Sequence, residues 1–443
     1  MELGWLFTHV AALAGILFGW FNPLFGLMVY YGFAVIRPLH LWHWNHWPFP
    51  RLSFYVALAT LVGWAGSGFG KFDGLRSIRL PMIGLCVYLL AGTAAWQMTS
   101  VNYERAWGFL SLQLKIGLMA LVTVTLIRNA KGIHGFVYLI TAVLGYLAWV
   151  FNSSYYFDNW NSVYWVGFGG VDNNGIAMTM VMGIPLAFFI AIASKKRWVK
   201  LLCLAAVAME VHVVLFSFSR SGQLGLVLMG ITMFIVAMLM LPRKGVTICL
   251  AIMFLIFGLH FAGEQVRERF MTIFLDTEQR DNSAQSRFLA WSAAWQCMLD
   301  YPLGVGPRNF NMLAPRYGLA GQKSAHNLFL QTGADYGFIG MFGLAVFYLG
   351  TMYKTFTMAA TQTAKRLGWP RYYGHMVCIS LGGFLVCSTF IGMESVETGF
   401  IISLLGLCTV AYVDRVAQDT PPRQATPEPK DIPAPNESKP LPA

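Results

Sequence analysis

The chain has 443 residues, of which 56% are hydrophobic and only 12% charged, with a formal net charge of +11. Mean hydropathy is +0.55, whereas a water-soluble domain carries about 25% charged residues; a soluble enzyme or binding module is excluded and a polytopic membrane protein remains. The basic residues are spread over short connections rather than gathered on one module, which argues against a nucleic-acid partner and makes them markers of sidedness.

A helix needs about 20 apolar residues to cross the hydrocarbon core. Runs of that kind occur at 4–18, 20–36, 52–69, 79–98, 110–127, 132–150, 174–194, 198–217, 222–241, 245–262, 327–350, 375–392 and 398–415. The first two are short and meet at Trp20–Pro23, which reads as a broken hairpin or as one span plus an interfacial segment. The pattern predicts an all-α polytopic membrane protein with 12 or 13 transmembrane helices and one large, partly helical outer loop. Its parts are a transmembrane bundle (1–262), the outer loop region (263–325), C-terminal transmembrane helices (326–415) and a Pro-rich, disordered cytoplasmic tail (416–443).

Basic connections orient it. KFDGLRSIR (71–79), RNAK (128–131), KKRWVK (195–200), PRK (242–244) and the 351–371 segment carry the Lys/Arg excess and are expected in the cytoplasm. The alternate connections 151–173, 218–222, 263–325 and 392–397 then face outward, although Arg37 and Arg51 flank an outward segment near the N-terminus. Residues 1–18 show no basic n-region or cleavage box, so the first segment is expected to be retained. The seven cysteines are an odd number and only Cys297 lies in the outer region, which implies neither a disulfide framework nor a metal cluster.

Two aromatic stretches, RPLHLWHWNHWPFPR (37–51) and NSSYYFDNWNSVYW (152–165), read as interfacial belts, the second with the alternative of stacking on sugars. In the outer region, EQVRERFMTIF (264–274) and SAQSRFLAWSAAWQCML (283–299) have helical spacing. Phe288, Trp291, Trp295 and Leu299 recur at three or four and are expected against the membrane or the bundle. Pro302, Gly304 and Gly306 then allow a tight path through DYPLGVGPRNF (300–310).

Polar residues near membrane depth carry the functional signal, because charge there is costly. Arg220 lies in SFSRSGQLG, where it either snorkels from a span end or joins Ser217, Ser219, Ser221 and Gln223 in a wet, donor-rich pocket wall suited to phosphate. Arg287 projects from the outer helix. His326 stands where the chain returns to hydrocarbon; nearby Arg and helix N-terminal donors favour neutral imidazole, a competent base, against simple interfacial hydrogen bonding.

Arg220 in SRSGQLGL, Arg287 followed by Trp291 and PLGVGPRNF, and His326 in SAHNLFLQTGADYGFIG resemble successive signatures of the O-antigen ligase and polymerase-like membrane family. That family includes O-antigen ligases, Wzy-type polymerases and bacterial O-linked oligosaccharyltransferases. The signatures span about residues 200–350, and YYGFAVIRPLHLWHW (30–44) also resembles O-glycosylation ligases associated with exosortase systems. The resemblance implies a protein of the bacterial inner membrane with a periplasmic active site. It implies transfer of a glycan from a polyprenyl-diphosphate (undecaprenyl-diphosphate) donor to a hydroxyl of lipid A-core or protein, by direct inverting attack, with neither metal nor cofactor. By the same resemblance His326 takes the acceptor proton, while Arg220 and Arg287 hold the diphosphate. Arg308, Arg316, Tyr336 and Glu394 are lesser candidates for binding donor or acceptor, with Glu397 beside Glu394 as another. Asp335 lies nine residues beyond His326, too far along a helix to orient its ring. A polymerase with the same donor chemistry and a transporter of a lipid-linked substrate are the alternatives.

Overall fold

A computed structural model describes residues 2–42, 51–241, 282–392 and 396–419, with isolated positions 244, 245, 248 and 252. Most of the expected span at 245–262, the expected helix at 264–274, residues 43–50 of the first aromatic stretch and the tail beyond 419 lie outside the described residues. Within them the protein is all-α apart from one bridge between Phe168 and Val171.

The helices in chain order are α1 (Glu2–Gly19), α2 (Pro23–Ile36), α3 (Pro38–Leu41), α4 (Leu52–Gly66), α5 (Arg79–Thr99), α6 (Tyr103–Leu126), α7 (Ala130–Phe157), α8 (Ser162–Trp165), α9 (Asn173–Ala193), α10 (Arg197–Phe216) and α11 (Arg220–Met240). After the undescribed stretch come α12 (Asn282–Asp300), α13 (Phe310–Leu313), α14 (Leu328–Ala360), α15 (Gln362–Leu367), α16 (Trp369–Ser388) and α17 (Glu397–Asp419). Among the described residues nine helices are long and apolar enough to cross a membrane, and two shorter apolar helices join them, which makes this a multi-pass membrane protein. The expected 12 or 13 spans compare with these eleven, with α16, whose first turns read WPRYYGH, and with the segment around 245–262.

Boundaries follow caps rather than hydropathy. Asn102 Oδ1 accepts from the Arg105 backbone N–H and starts α6 seven residues before its apolar run. The connection expected from 151 begins instead at Asp158, because Asn152 donates to the carbonyls of Ala148 and Met209 and fastens α7 to α10. Residues 416–419, expected in the tail, continue α17 instead: it runs to Asp419, and near its end Arg415 donates to the Arg128 carbonyl at 2.7 Å.

The most deeply buried spans are α9 and α17, with α7, α10, α11 and α16 around α9. On the other flank α5 lies along α14 at very short range. A Cβ added at Gly84 would stand 2.6 Å from the Phe347 nitrogen, and one at Gly343 2.6 Å from the Tyr88 nitrogen, so side chains are absent where the two backbones touch.

The helix α14 is two helices in series. It breaks at Gly337, whose φ of 75° and ψ of 178° suit glycine almost alone. The carbonyls freed by the break are paired by the loop after α12: Val305 N donates to the Ala334 carbonyl and Gly306 N to the Asp335 carbonyl, both at 3.0 Å. Phe338 N donates in turn to the Pro302 carbonyl at 3.1 Å. The PLGVG sequence is thus a plug that keeps the backbone polar groups of the break satisfied within an apolar bundle, where each orphan is costly.

Beside this plug the 282–325 segment has its own small core, with Ala290, Ala293, Ala294, Cys297 and Met298 of α12 against Val305, Phe310, Leu313 and Ala325. The alanine face of α12 is the one packed in this core, while its aromatic face meets the bundle at Trp291, whose ring lies 6.0 Å from Phe390, and at Trp295, 5.8 Å from Phe338. Phe288, Trp295 and Leu299 remain exposed while alanines approach the neighbouring chain, because small residues permit the closer contact.

Candidate active site

Three helices begin at one end of the bundle, each with a polar cap. Asp172 Oδ1 accepts from Gly175 N at 3.0 Å at the start of α9. Ser219 Oγ accepts from Gly222 N at 3.1 Å at the start of α11, and Asn327 Oδ1 accepts from Phe329 N and Leu330 N at 3.0 Å at the start of α14. The starts of α9 and α11 are joined by Ser219 Oγ, which donates to Asn174 Oδ1 at 2.7 Å. The start of α14 is joined to the end of α16 by Asn327 Nδ2, which donates to the Thr389 carbonyl at 3.2 Å. Unpaired N–H groups at helix starts carry partial positive charge, so this end of the bundle favours anions.

Arg220, Arg287 and His326 come together here from three separate elements. Arg220 is the first residue of α11 and Arg287 lies in the second turn of α12. The Arg287 guanidinium is drawn below its ordinary value by burial and then by Arg220, with Asp172 opposing; it remains a cation at physiological pH. His326 feels the same groups. Packing around the ring lowers its pKa from the ordinary 6.5, Arg287 and Lys323 lower it further, and Asp172 acts the other way. The residue as a whole is nevertheless exposed, so His326 combines partial desolvation with access from outside the bundle.

The backbone at His326 is held in the left-handed region, at φ 49°. For a residue with a Cβ this is strained, and it persists only where neighbours over-determine it. Gly392 lies against this turn, where a Cβ would stand in ordinary contact, 3.4 Å from the His326 nitrogen. Phe218, two residues before Arg220, has a φ of 53°, so one chain segment turns sharply just before its functional side chain and the other turns at it.

Residues 205–345 match the family model described as O-antigen ligase. This stretch, about a third of the chain, runs from α10 into α14 and contains Arg220, Arg287, Arg308, Arg316, His326 and Tyr336. No curated protein matches the chain. The similarity to O-antigen ligase, a glycan-transferring membrane family, thus falls on the three residues that the fold gathers.

The lesser candidates are placed elsewhere. Arg308, itself at φ 61°, has its guanidinium 4.8 Å from the centre of the Phe109 ring on α6, a cation–π arrangement. Arg316 is exposed on the short turn Ala314–Tyr317. Tyr336 is 1% exposed and stacked on Tyr88 at 4.8 Å in the α5–α14 contact, so in this fold it packs helices rather than lining an open path. Glu394 lies outside the described residues. Glu397 lines a small cavity with Arg37, Thr179 and Thr398.

The serine cluster also differs from expectation. Ser217, Ser219, Ser221 and Gln223 are all buried, and the first two hydroxyls are used in closing α10 and capping α11, so they do not form a wet wall. Two participants were not singled out from sequence: Asp172 and Asn174. In VDNNG their only local signal is that of a helix cap, and their proximity to Arg287 and Ser219 arises from chain segments far apart in sequence.

Proposed function

We propose that this protein transfers a glycan from a polyprenyl-diphosphate carrier to an acceptor hydroxyl of lipid A-core or protein, at the periplasmic face of the inner membrane. The observation that carries this reading is the meeting of Arg220, Arg287 and His326 beside three helix starts, inside the stretch that matches O-antigen ligase.

The donor is already activated, so the protein has to hold it and guide the acceptor. Arg220 and Arg287 bind the diphosphate oxygens, where a planar guanidinium offers paired donors. The acceptor oxygen attacks the anomeric carbon and forms the new C–O bond as the bond from that carbon to the phosphate oxygen breaks. The electron pair leaves with the polyprenyl diphosphate, and the acceptor proton passes to neutral His326. Negative charge growing on the leaving group meets cations and helix starts fixed before the reaction. One direct displacement inverts the anomeric configuration and requires no metal. Arg308 and Arg316 are placed by this reading on the glycan side of the donor.

The test is carried out on protein in its membrane with its own lipid-linked glycan. Arg220→Ala and Arg287→Ala should each lower transfer by about 100-fold or more, as does loss of one transition-state donor, and Lys should rescue poorly. The linkage in residual product should be inverted relative to the donor. Parental transfer by both alanine proteins, or retained configuration, contradicts the reading.

A further inference from the structure

The polar groups buried behind His326 form a single chain of hydrogen bonds. Gln331 is 1% exposed and Asp335 fully buried, four residues apart on one face of α14. Gln331 Oε1 accepts from the Ala325 backbone N–H at 2.8 Å. Gln331 Nε2 donates to Asp335 Oδ2 at 2.8 Å and to Asn311 Oδ1 at 3.2 Å. Asp335 Oδ1 accepts from the Phe310 backbone N–H at 2.8 Å, and the same carboxylate also takes the Arg308 backbone N–H and feels the Arg308 guanidinium. The orientation of the Gln331 amide follows from its neighbours, since one end meets a backbone donor and the other two acceptors.

We infer that Gln331 and Asp335 are positioning residues that fix the strained backbone of His326, through Ala325, to the plug that closes the break in α14. Ala325 immediately precedes His326, and Phe310 follows the plug residues Gly304–Gly306. One carboxylate with two acceptor oxygens therefore ties together the break at Gly337, the outer loop and the segment that carries the imidazole. The restraint matters because φ at His326 is 49° and relaxes unless both sides are held. Asn327 holds one side through its cap and through Thr389, and Gln331 holds the other through Ala325. Neither Gln331 nor Asp335 touches a reacting atom; both act by keeping the base where the acceptor hydroxyl arrives. The inference rests on His326 being that base.

A charge swap tests it. In Asp335→Asn one donor faces another somewhere along the chain however the two amides turn, because the row from Ala325 N–H through the two side-chain amides to Phe310 N–H then lacks one acceptor. Adding Gln331→Glu supplies it: the new carboxylate accepts from Ala325 N–H and from the amide introduced at position 335, whose oxygen accepts from Phe310 N–H, and the Asn311 amide, which accepts from Gln331 in the parent, turns to present its NH2 to the carboxylate. Hydrogen exchange in detergent should show protection of the Ala325 and Phe310 amides reduced by about tenfold in Asp335→Asn, the scale of one net hydrogen bond, and restored in the double variant. Glycan transfer should fall by about 100-fold in kcat with the donor KM unchanged, the scale of a reacting group displaced by about an ångström, and return to within about threefold of parental in the double variant.

Parental exchange and transfer in Asp335→Asn, or a double variant no better than the single, would overturn the inference. If Asp335→Asn does not accumulate, recovery of both level and transfer in the double variant supports the network, and failure of both variants counts against it. His326→Ala measured beside them separates the two claims. Should it transfer normally while Asp335→Asn exposes Ala325, the base assignment falls and the network stands; should it be inactive while Asp335→Asn is parental throughout, the network falls alone.

Discussion

Arg287 and His326 lie close enough that the guanidinium disfavours protonation of the imidazole, while Asp172, within reach of both, favours it. The ring is therefore the point where two opposite charges compete, with desolvation siding with Arg287. A base held neutral in this way keeps its capacity to accept a proton below the pH at which an ordinary histidine loses it.

The pH dependence of kcat/KM follows from those signs. Because the His326 pKa is lowered from 6.5, transfer should fall on acidification only below that ordinary value. Asp172→Asn removes the group that raises the pKa and should move the acid limb to lower pH. In Arg287→Ala a lowering group is lost, so the limb of the residual activity should move upward. Limbs displaced in the opposite senses, or a limb unchanged in both variants, would show that another group governs the profile.

Asn327 is a helix cap and a brace together. Asn327→Ala removes acceptors for two backbone N–H groups and the donor to Thr389. It should cost about 1–2 kcal/mol of stability, the usual range for an N-cap, seen as a lower Tm in detergent and a transfer rate reduced out of proportion to the loss of folded protein. Unchanged Tm would mean that the cap is not holding α14.

Gly337 tests the break in α14. At φ 75° and ψ 178° an alanine costs about 1–3 kcal/mol in backbone conformation alone, and its Cβ would also collide with the Pro302 carbonyl. Gly337→Ala should sharply reduce the amount of folded protein recovered from membranes. Parental yield and Tm would show that α14 can run straight through this point.

Sidedness rests on Lys/Arg placement. Reporters fused near residues 198 and 360 should read as cytoplasmic and one near 290 as external. A cytoplasmic reading at 290 would put Arg287 on the wrong face for a periplasmic acceptor.

Much of the helix layout was readable in the sequence because a continuous apolar run has few other solutions in a membrane. The runs at 79–98, 174–194 and 198–217 end within two residues of α5, α9 and α10. Polar segments were harder, since NSSYYF (152–157) continues α7 only by hydrogen bonding to α10. Within the site, Arg220, Arg287 and His326 stood out through their cost at membrane depth and their resemblance to family signatures. Asp172 and Gln331 did not, because each looks like an ordinary cap or helix residue until Arg287 and Ala325 are brought beside it, and Asp335 is set aside by its distance along the helix because its link to His326 runs through Gln331 and the backbone rather than to the ring. The break at Gly337 was hidden for the same reason, its partner being the PLGVG loop some 30 residues earlier.

The central claim is that His326 removes the acceptor proton during transfer from a polyprenyl-diphosphate glycan. Its most direct measurement uses purified protein in liposomes with undecaprenyl-diphosphate-linked glycan and acceptor, comparing the parent with His326→Ala and His326→Gln. The account predicts normal insertion, donor binding close to parental, and transfer lowered by about 100-fold or more in both, the range lost with a positioned general base. Gln keeps the size and a hydrogen bond but not the proton affinity, so it should not rescue. Transfer at near-parental rate by either variant would contradict the account.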